Sequence, residues 1–232
     1  MFSIQTVVVS DYQQNARILT CLKTGDVALI DPGFDAERLL SMIDQQKLKW
    51  VLLTHAHIDH AAELEWLLET HFKKTANKPI FYAHKAEEVF RKSLGMYAKM
   101  IGQSSDRIQA LREPDYYVED QDEIILGSCS FKVLFTPGHS PGHLSFFCKE
   151  GITEIYDVAL QDPHNTKPVL IAGDALFKGS IGRTDLPGSV HQDLINSIKE
   201  KLFVLPKDSL VLCGHGPHTT IGFEKQNNPF LK

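Results

Sequence analysis

The first half of the chain alternates between short apolar runs and longer amphipathic segments. Apolar residues at 18–22 and 27–30 flank a Lys-Thr-Gly-Asp stretch that favours a tight turn, and this arrangement predicts a β-hairpin. Apolar residues then recur at helical spacing over 35–46 and again over 61–72, with a predicted buried strand at 51–53 between them. This order of strands and helices indicates an α/β fold.

A long helical region is predicted after a further short strand at residues 79–83. It covers residues 85–112 and is expected to break near Gly95 and Gly102, because glycine lowers helix stability. One face of it is apolar and carries Met96, Tyr97, Met100 and Ile101. We expect this face to pack into the protein core rather than to line a substrate pocket.

The second half of the chain is rich in predicted strands. Apolar runs separated by turns lie at residues 123–126, 131–135, 144–148 and 169–172, and a late helix (190–205) and a last strand (210–213) follow. A strand-rich core with helices in both halves predicts a four-layer αββα sandwich of the α/β class. We see no linker that would divide the chain, so residues 1–232 are predicted to form a single domain.

The composition restricts the class of protein and of partner. Hydrophobic residues make up 43% and charged residues 23%, which is typical of a globular protein. The net charge of −5 argues against nucleic acid as a partner, and no apolar stretch is long enough for a membrane span or a signal peptide. The 4 cysteines are scattered without a Cys-x-x-Cys pair, as in a chain with reduced thiols. We therefore expect a cytoplasmic protein, in an oligomeric state that the sequence does not determine.

Residue types that bind metals are concentrated in one short loop. His55, His57, Asp59 and His60 follow the predicted strand at 51–53 and precede a helix. Side chains at alternate positions beyond a strand end converge on one side, and the turn into the helix re-aims Asp59 and His60 toward a neighbouring point. Exposed loop histidines are the alternative, but so many ligand types in one loop disfavour it. The loop predicts two adjacent metal positions.

Three further candidate ligands follow apolar strands later in the chain. His139 follows the run 131–135, Asp174 follows 169–172, and His215 follows 210–213. A sheet delivers such side chains to one rim, so we expect them to meet the loop described above. A glycine directly precedes each of the three, which permits a sharp turn and a close approach to a metal.

The motifs around these residues resemble those of the metallo-β-lactamase superfamily. The stretch from His55 to His60 resembles its signature, in which two His, an Asp and a further His follow a strand. Thr-Pro-Gly-His-Ser-Pro-Gly-His (136–143), Gly-Asp-Ala-Leu-Phe (173–177), Gly-Arg-Thr-Asp (182–185) and Gly-His-Gly-Pro (214–217) resemble the later motifs of the glyoxalase II branch. The C-terminal sequence is similar to that of the short bacterial glyoxalase-II-like proteins. The resemblance covers nearly the whole chain.

Carried over position by position, this resemblance implies a role for each candidate. It implies that one metal is held by His55, His57 and His139, that the other is held by Asp59, His60 and His215, and that Asp174 bridges them. The cofactors are then two divalent metal ions, with zinc expected first and iron or manganese as alternatives, because His and Asp suit all three. His143 is expected to support a ligand, and Asp31 to orient loop backbone. Surface or packing roles are expected for His71, His84, His164, His191 and His218.

The expected reaction is thioester hydrolysis. Two cations would lower the pKa of a bridging water and stabilise the oxyanion of a substrate carbonyl, with Asp59 and Asp174 orienting the resulting hydroxide. A thiolate leaves without a proton donor, whereas an amide nitrogen usually needs one. The resemblance implies a glutathione thioester, S-D-lactoylglutathione, although the C-terminal helical domain with which full-length glyoxalase II holds glutathione is not expected here. Arg183 and Lys178 are candidate contacts for a substrate carboxylate, with a surface salt bridge as the alternative for Arg183.

Other functions remain open on the sequence alone. A persulfide dioxygenase shares this fold and the Gly-Arg-Thr-Asp segment but resembles a single-iron enzyme held by two His and one Asp. A β-lactamase proper is disfavoured by the lack of an export signal, and a nucleic-acid-processing enzyme by the acidic balance. A non-catalytic metal-binding or electron-transfer module is disfavoured because every expected ligand type is present.

Overall fold

Two β-sheets lie face to face at the centre of the structure. The computed structural model describes residues 2–103, 105–149, 154–156 and 167–232. The strands of the first sheet are β1 (Phe2–Val9), β2 (Gln14–Cys21), β3 (Val27–Ile30), β4 (Leu48–Leu52), β5 (Ile80–Ala83), β6 (Tyr116–Tyr117) and β10 (Glu154–Tyr156). Their order across the sheet is β10-β1-β2-β3-β4-β5-β6, and the four strands from β3 to β6 run parallel to one another.

The second sheet is formed by the later part of the chain. Its strands are β7 (Glu123–Leu126), β8 (Cys129–Phe135), β9 (Leu144–Cys148), β11 (Val169–Gly173), β14 (Leu210–Cys213) and β15 (Thr219–Thr220). Their order is β15-β14-β11-β9-β8-β7, and β11 and β14 run parallel. A small separate hairpin is made by β12 (Leu176–Phe177) and β13 (Ser180–Ile181).

Helices cover the outer face of each sheet. They are α1 (Ala36–Ser41), α2 (Ile58–Ala61), α3 (Leu64–Thr75), α4 (Glu88–Met100), α5 (His191–Ser197) and α6 (Ile221–Asn227). A 3-10 turn (Lys85–Glu87) leads into α4, and a π-helical turn (Ile198–Leu202) continues α5. Within the described residues, no helix is both long and apolar enough to cross a membrane.

Three apolar clusters hold these four layers together. The middle cluster fills the space between the sheets, where Phe2 and Phe131 meet edge to face with ring centroids 5.9 Å apart. An outer cluster joins the first sheet to α1–α4 through residues such as Leu39 and Leu67, and another joins the second sheet to α5 and α6. Burying one such side chain contributes about 1.5–3 kcal/mol. The predicted αββα sandwich is therefore confirmed, and the hairpin of β2 and β3 is confirmed with it.

The strand ends of the two sheets meet at one rim of the sandwich. The amide of Leu144, at the start of β9, donates to the carbonyl of Thr54, beyond the end of β4, at 2.8 Å. On the other side, the amide of Asn15 in β2 donates to the carbonyl of Gly214 beyond β14, at 2.7 Å. Because backbone hydrogen bonds cross between the sheets here, the loops of this rim hold fixed positions relative to each other.

Several predicted elements differ from the observed ones. Strand β1 was not predicted, because its polar residues interrupt the apolar run. The helix predicted over 35–46 ends at Ser41, and Gly95 does not break α4, which runs on to Met100. Gly95 has a packing role instead: a Cβ atom there would lie 3.2 Å from the carbonyl oxygen of Ile108.

The apolar face of α4 does not pack into the core, so that prediction was wrong. The buried residues of α4 are Arg91, Leu94 and Ala98, on the side of the helix that faces the protein. Met96 is 63% exposed and Met100 is 75% exposed. Both instead border the cavity described below.

Candidate metal centre

The loop from His55 to His60 runs from the end of β4 into α2. Thr54 and His55 are fully buried at the rim, and His57 occupies the position that caps the N-terminus of α2. Asp59 and His60 lie within the single turn of α2. The helix places Asp59 beside His215 and His60 beside Asp174, while the His60 ring still lies against that of His55, with centroids 4.1 Å apart.

Asp31 orients two histidines of this loop through its buried carboxylate. Its Oδ1 accepts from the Thr54 amide at 2.7 Å, and its Oδ2 accepts from the Thr54 hydroxyl at 2.6 Å and from His60 Nδ1 at 3.0 Å. Because the Thr54 hydroxyl donates to Asp31, its oxygen accepts from His55 Nδ1, which lies 3.0 Å away. Both imidazoles thus carry their proton on Nδ1 and turn the lone pair of Nε2 inward.

His139 and His215 are oriented in the same way by backbone carbonyls. His139 Nδ1 lies 2.8 Å from the carbonyl oxygen of Arg183, and His215 Nδ1 lies 3.1 Å from that of Tyr12. Each Nδ1–H donates outward, so each Nε2 keeps its lone pair. His57 Nδ1 lies 2.9 Å from His139 Nε2, so the two rings meet at the same point.

Asp174 stands between the two groups of histidines. Its Oδ1 lies 3.4 Å from His60 Nε2, and its Oδ2 lies 3.6 Å from His139 Nε2 and 3.5 Å from His215 Nε2. Asp59 Oδ2 is 3.0 Å from His215 Nε2. All the predicted ligands therefore meet at one centre.

Close packing around Asp174 requires glycine at two positions. Gly173 has a φ of +50°, which strains other residues, and a Cβ there would lie 2.7 Å from His143 Nε2. A Cβ on Gly214 would lie 2.0 Å from Asp174 Oδ1. Larger residues at either position would displace the carboxylate.

His143 supports Asp174 and has no nitrogen left for the centre. Its Nε2 accepts from the Asp174 amide at 3.0 Å, and its Nδ1 lies 2.8 Å from the Thr136 hydroxyl. The imidazole therefore holds the backbone at Asp174 in place. This arrangement agrees with the expectation that His143 is not a ligand.

The candidate ligands form groups with the spacing of metal sites. Within each group, one ligand atom per residue lies within 4.8 Å of the others; the groups are His55, His57 and His139; His55, His60 and Asp174; and Asp59, His60 and His215. The first and last of these match the two ligand sets implied by the resemblance.

Unpaired buried atoms inside the centre fit a bound cation. Nε2 of His55, Nε2 of His60 and Oδ1 of Asp174 are buried there without a hydrogen-bond partner, whereas His57 faces the centre with Nδ1. An unpaired buried polar atom costs roughly 1–3 kcal/mol, so a cluster of them calls for a common partner. Since the nitrogens present lone pairs toward carboxylates, the partner that satisfies both is a cation rather than a further acceptor. Imidazole and carboxylate are donors that zinc, iron and manganese all accept.

The electrostatics of the centre point the same way. Burial, together with the neighbouring His139 ring, lowers the pKa of His57 to about 3, so this imidazole is neutral. Burial also opposes a charge on His60, yet the carboxylates of Asp174 and Asp59 raise its pKa well above the usual value. The carboxylates therefore attract positive charge into a fully buried position, which is the role a divalent cation would take.

Glu87 links the two loops that carry His57 and His139, and the sequence did not reveal it. Its buried carboxylate accepts from the Ala56 amide at 2.8 Å, from the Gly142 amide at 2.7 Å and from the Ser140 hydroxyl. Burial raises its pKa, while these three donors act in the opposite direction. One carboxylate thus ties the β4–α2 loop to the β8–β9 loop.

The centre opens into a cavity of about 860 Å³. His57, Asp59, His139, Asp174 and His215 lie in its lining. The candidate substrate contacts are placed differently: Arg183 lies in the lining, whereas Lys178 is exposed and is not part of it. Arg183 forms a two-point ion pair with Asp185, with Nε and Nη2 each 2.7 Å from a carboxylate oxygen. The salt bridge considered as its alternative role is thus present.

The remaining histidines and the cysteines lie outside the centre. His71 contacts Thr75 in α3, His84 stacks on Phe135, and His191 lies 3.1 Å from the Thr184 hydroxyl. His218 is partly buried, and His164 lies outside the described residues. All four cysteines lie within the described residues, buried and outside any disulfide, and burial raises the pKa of Cys213 to about 12, so this thiol is inert.

Comparison with known proteins identifies the family pattern to which this geometry corresponds. The family model of the Metallo-beta-lactamase superfamily matches residues 10–152 and 164–215. These ranges include every candidate ligand.

Individual relatives agree with this match along their whole length. The chain is 36% identical over 232 residues to the hydroxyacylglutathione hydrolase GloC of Haemophilus influenzae, covering 99% of this chain and 98% of the relative. Its sequence is 33% identical to that of the BLEG-1 B3 metallo-β-lactamase, whose crystal structure it matches with a TM-score of 0.79 over 100% of both chains. It is 32% identical to TTHA1623, solved in a di-iron-bound form, with a TM-score of 0.75, covering 97% of this chain and 99% of that one.

Proposed function

Because the chain belongs to the metallo-β-lactamase superfamily, we propose that it is a binuclear metal-dependent hydrolase that cleaves thioesters of glutathione. The observation that carries this proposal is the set of inward-facing, unpaired imidazole nitrogens around the Asp174 carboxylate. A structural site would leave no access to the ligands, whereas this centre opens into a large cavity.

Each metal position has its own set of residues in this proposal. His55, His57 and His139 hold one cation. Asp59, His60 and His215 would hold the other, and Asp174 would contribute to both, because its carboxylate lies within 3.6 Å of Nε2 of His60, His139 and His215. The proposal takes zinc as the metal, with iron and manganese as the alternatives that metal analysis distinguishes.

The protein groups then act on water and substrate. Bound cations would lower the pKa of a water molecule and would polarise the thioester carbonyl. Asp59 and Asp174 accept hydrogen bonds from the attacking water and point its oxygen at the carbonyl carbon. A carbon–oxygen bond forms, the carbon–sulfur bond breaks, and the thiolate leaves with the electron pair. The products are a carboxylate, a thiol and one proton.

The glutathione half of the substrate is proposed from the similarity to the Haemophilus influenzae hydroxyacylglutathione hydrolase. S-D-lactoylglutathione is the corresponding thioester. Arg183, in the cavity lining, is the candidate contact for the carboxylates of the glutathione half, which would displace its ion pair with Asp185. Lys178 lies outside the lining and has no part in the proposal.

Metal analysis together with a thioester assay tests the proposal. Purified protein loaded separately with zinc, iron or manganese is expected to bind two ions per chain and to release a thiol from S-D-lactoylglutathione. Asp174→Ala is expected to lose bound metal and nearly all turnover, because one carboxylate contributes to both positions. Asp208→Ala, at an exposed position before β14, is the matched control and is expected to behave as the parent protein.

An oxygen electrode separates hydrolysis from the dioxygenase alternative. A single-iron dioxygenase would consume oxygen in the presence of glutathione persulfide and would not need Asp59, His60 and His215. We expect no persulfide-dependent oxygen uptake. Uptake by protein that carries one iron, without cleavage of any thioester, would refute the proposed hydrolase.

A further inference from the structure

One wall of the cavity is an apolar helix face that is not covered by the rest of the protein. Val89, Phe90, Met96, Tyr97 and Met100 of α4 line the cavity, and we refer to them as the α4 wall. Val89, Met96 and Met100 recur at the spacing of one helix face. Val89 is 73% exposed, Met96 63% and Met100 75%, which is unusual for large apolar side chains on the same face.

The α4 wall is continuous with the metal centre. The Phe90 ring meets the His57 ring edge to face, with centroids 5.6 Å apart. On its other side, Phe90 faces Gly188, where a Cβ would lie 3.3 Å from its Cζ. At about 1.5 Å per residue, the segment from Phe90 to Met100 is about 15 Å long.

Charge is scarce along this cavity. Apart from the residues of the candidate metal centre, Arg183 is the only charged side chain among the described residues that line it. The backbone carbonyl of Arg183 accepts from His139 Nδ1, while its guanidinium pairs with Asp185 and interacts electrostatically with Tyr97 of the α4 wall. Since the Arg183 guanidinium is held by the Asp185 carboxylate, the main feature that the cavity offers outside the metal centre is the extended apolar wall.

We propose that the natural substrate carries a large apolar acyl group, of about six to ten carbons or an aryl ring, which binds along the α4 wall. This inference rests on the proposed thioester hydrolysis and names its acyl half. The glutathione half carries two carboxylates and an ammonium group, which an apolar wall without charged side chains does not accommodate, so the wall is left for the acyl half. A lactoyl group is too small and too polar to cover the wall.

The chain-length dependence of thioester hydrolysis tests this inference. The metal-loaded protein is assayed with S-acetyl-, S-butanoyl-, S-hexanoyl- and S-octanoylglutathione below their aggregation concentrations, and with S-D-lactoylglutathione. We expect kcat/KM to rise about two- to fourfold for each added methylene, as for transfer of a CH₂ group into an apolar site. A second series varies the thiol with the acyl group fixed as acetyl.

Matched variants assign the effect to α4. Val89→Thr and the double variant Met96→Gln/Met100→Gln replace apolar atoms by polar ones of similar size. The controls are Val204→Thr, at a valine that is 71% exposed outside this cavity, and Met42→Gln. We expect the α4 variants to reduce the ratio of octanoyl to acetyl kcat/KM at least tenfold, and the controls to keep the ratio of the parent protein.

The outcomes distinguish this inference from the proposed function. Failure to cleave any thioester, with two metals bound, would contradict the proposed function itself. Cleavage with no dependence on acyl length, or a length dependence that the α4 variants leave intact, would overturn the acyl assignment alone. A dependence on the thiol chain instead would also overturn it. A further outcome would also overturn it: the protein forms a dimer that Met100→Gln dissociates, and the rate does not depend on acyl length. In that case a second copy of the chain would cover the α4 wall.

Discussion

Glu87→Gln is expected to weaken both the fold and the affinity for metal. The parent carboxylate accepts three hydrogen bonds, and Ala56 N–H is the only donor at its Oε2 among the described residues. In the amide variant, one oxygen can still accept from Gly142 and Ser140, but the NH₂ group then faces the Ala56 N–H. The variant therefore replaces a hydrogen bond to a charged acceptor with two opposed donors.

The size of this effect follows from the contacts. A hydrogen bond to a charged group contributes about 1.5–3 kcal/mol, and an unsatisfied buried donor costs about 1–3 kcal/mol. We expect a loss of about 2–4 kcal/mol in the free energy of unfolding, which for a chain of this length lowers Tm by roughly 5–15 °C. Metal affinity is expected to fall about 10- to 100-fold, because Glu87 holds the loops that carry His57 and His139.

The assay combines urea unfolding with competition for zinc against a chelating dye. The control is Glu88→Gln at the next position, where the carboxylate is partly exposed and pairs with Lys92. Such a surface pair contributes at most about 1 kcal/mol, so the control is expected to keep its metal affinity. If Glu87→Gln matched Glu88→Gln in both measurements, the link between the two loops would not matter for the centre.

Three further predictions concern the centre and its surroundings. Asp31→Asn is expected to reduce metal affinity about 10- to 100-fold with the fold retained, measured by the same competition, because an amide cannot accept all three of the hydrogen bonds at Asp31; unchanged affinity would contradict this. Arg183→Ala is expected to raise KM for glutathione thioesters more than it lowers kcat, whereas Asp185→Ala, which frees the guanidinium, is expected to lower KM; equal changes in both variants would indicate a structural ion pair only. Chelation is expected to lower Tm reversibly, since metal at a thousandfold excess over Kd stabilises by about 4 kcal/mol per site; a Tm independent of metal would show that no ion binds the folded state.

Much of the centre could be predicted because its residues are locally dense or follow strands. His55, His57, Asp59 and His60 occupy one loop, and parallel strands bring Asp174 and His215 to the same rim. Such positions depend on the order of strands and loops, and this order can be predicted from the pattern of apolar residues. The fold was predictable for the same reason.

Glu87 could not be predicted, because nothing local distinguishes it from Glu88. Both are glutamates at the start of a helix, where acidic residues are common on the surface. Glu87 is buried only because Ala56, Ser140 and Gly142 converge on it from distant parts of the chain. Burial of this kind is a property of the tertiary structure.

The α4 prediction failed for a different reason. Helical spacing of apolar residues shows that a face is apolar but does not show what covers it. Helix α4 has a second face, with Leu94 and Ala98, that packs against the core. Since that face already anchors the helix, Met96 and Met100 are not needed for packing, and their exposure toward the cavity calls for a ligand.

Glu87 is adjacent to the α4 wall in the chain, because it occupies the N-cap position of α4, although its side chain makes no capping hydrogen bond. The same carboxylate fixes the loops of His57 and His139. Glu87 therefore connects the loops of the metal centre directly to the start of α4, without a flexible segment between them. If the acyl group binds along α4, Glu87→Gln should reduce kcat/KM for octanoyl thioesters more than for acetyl thioesters, even at saturating metal. Only the longer substrate would contact both the metal centre and the α4 wall, so only its rate depends on their relative position. Equal reductions for the two substrates would show that Glu87 acts on the metal centre alone.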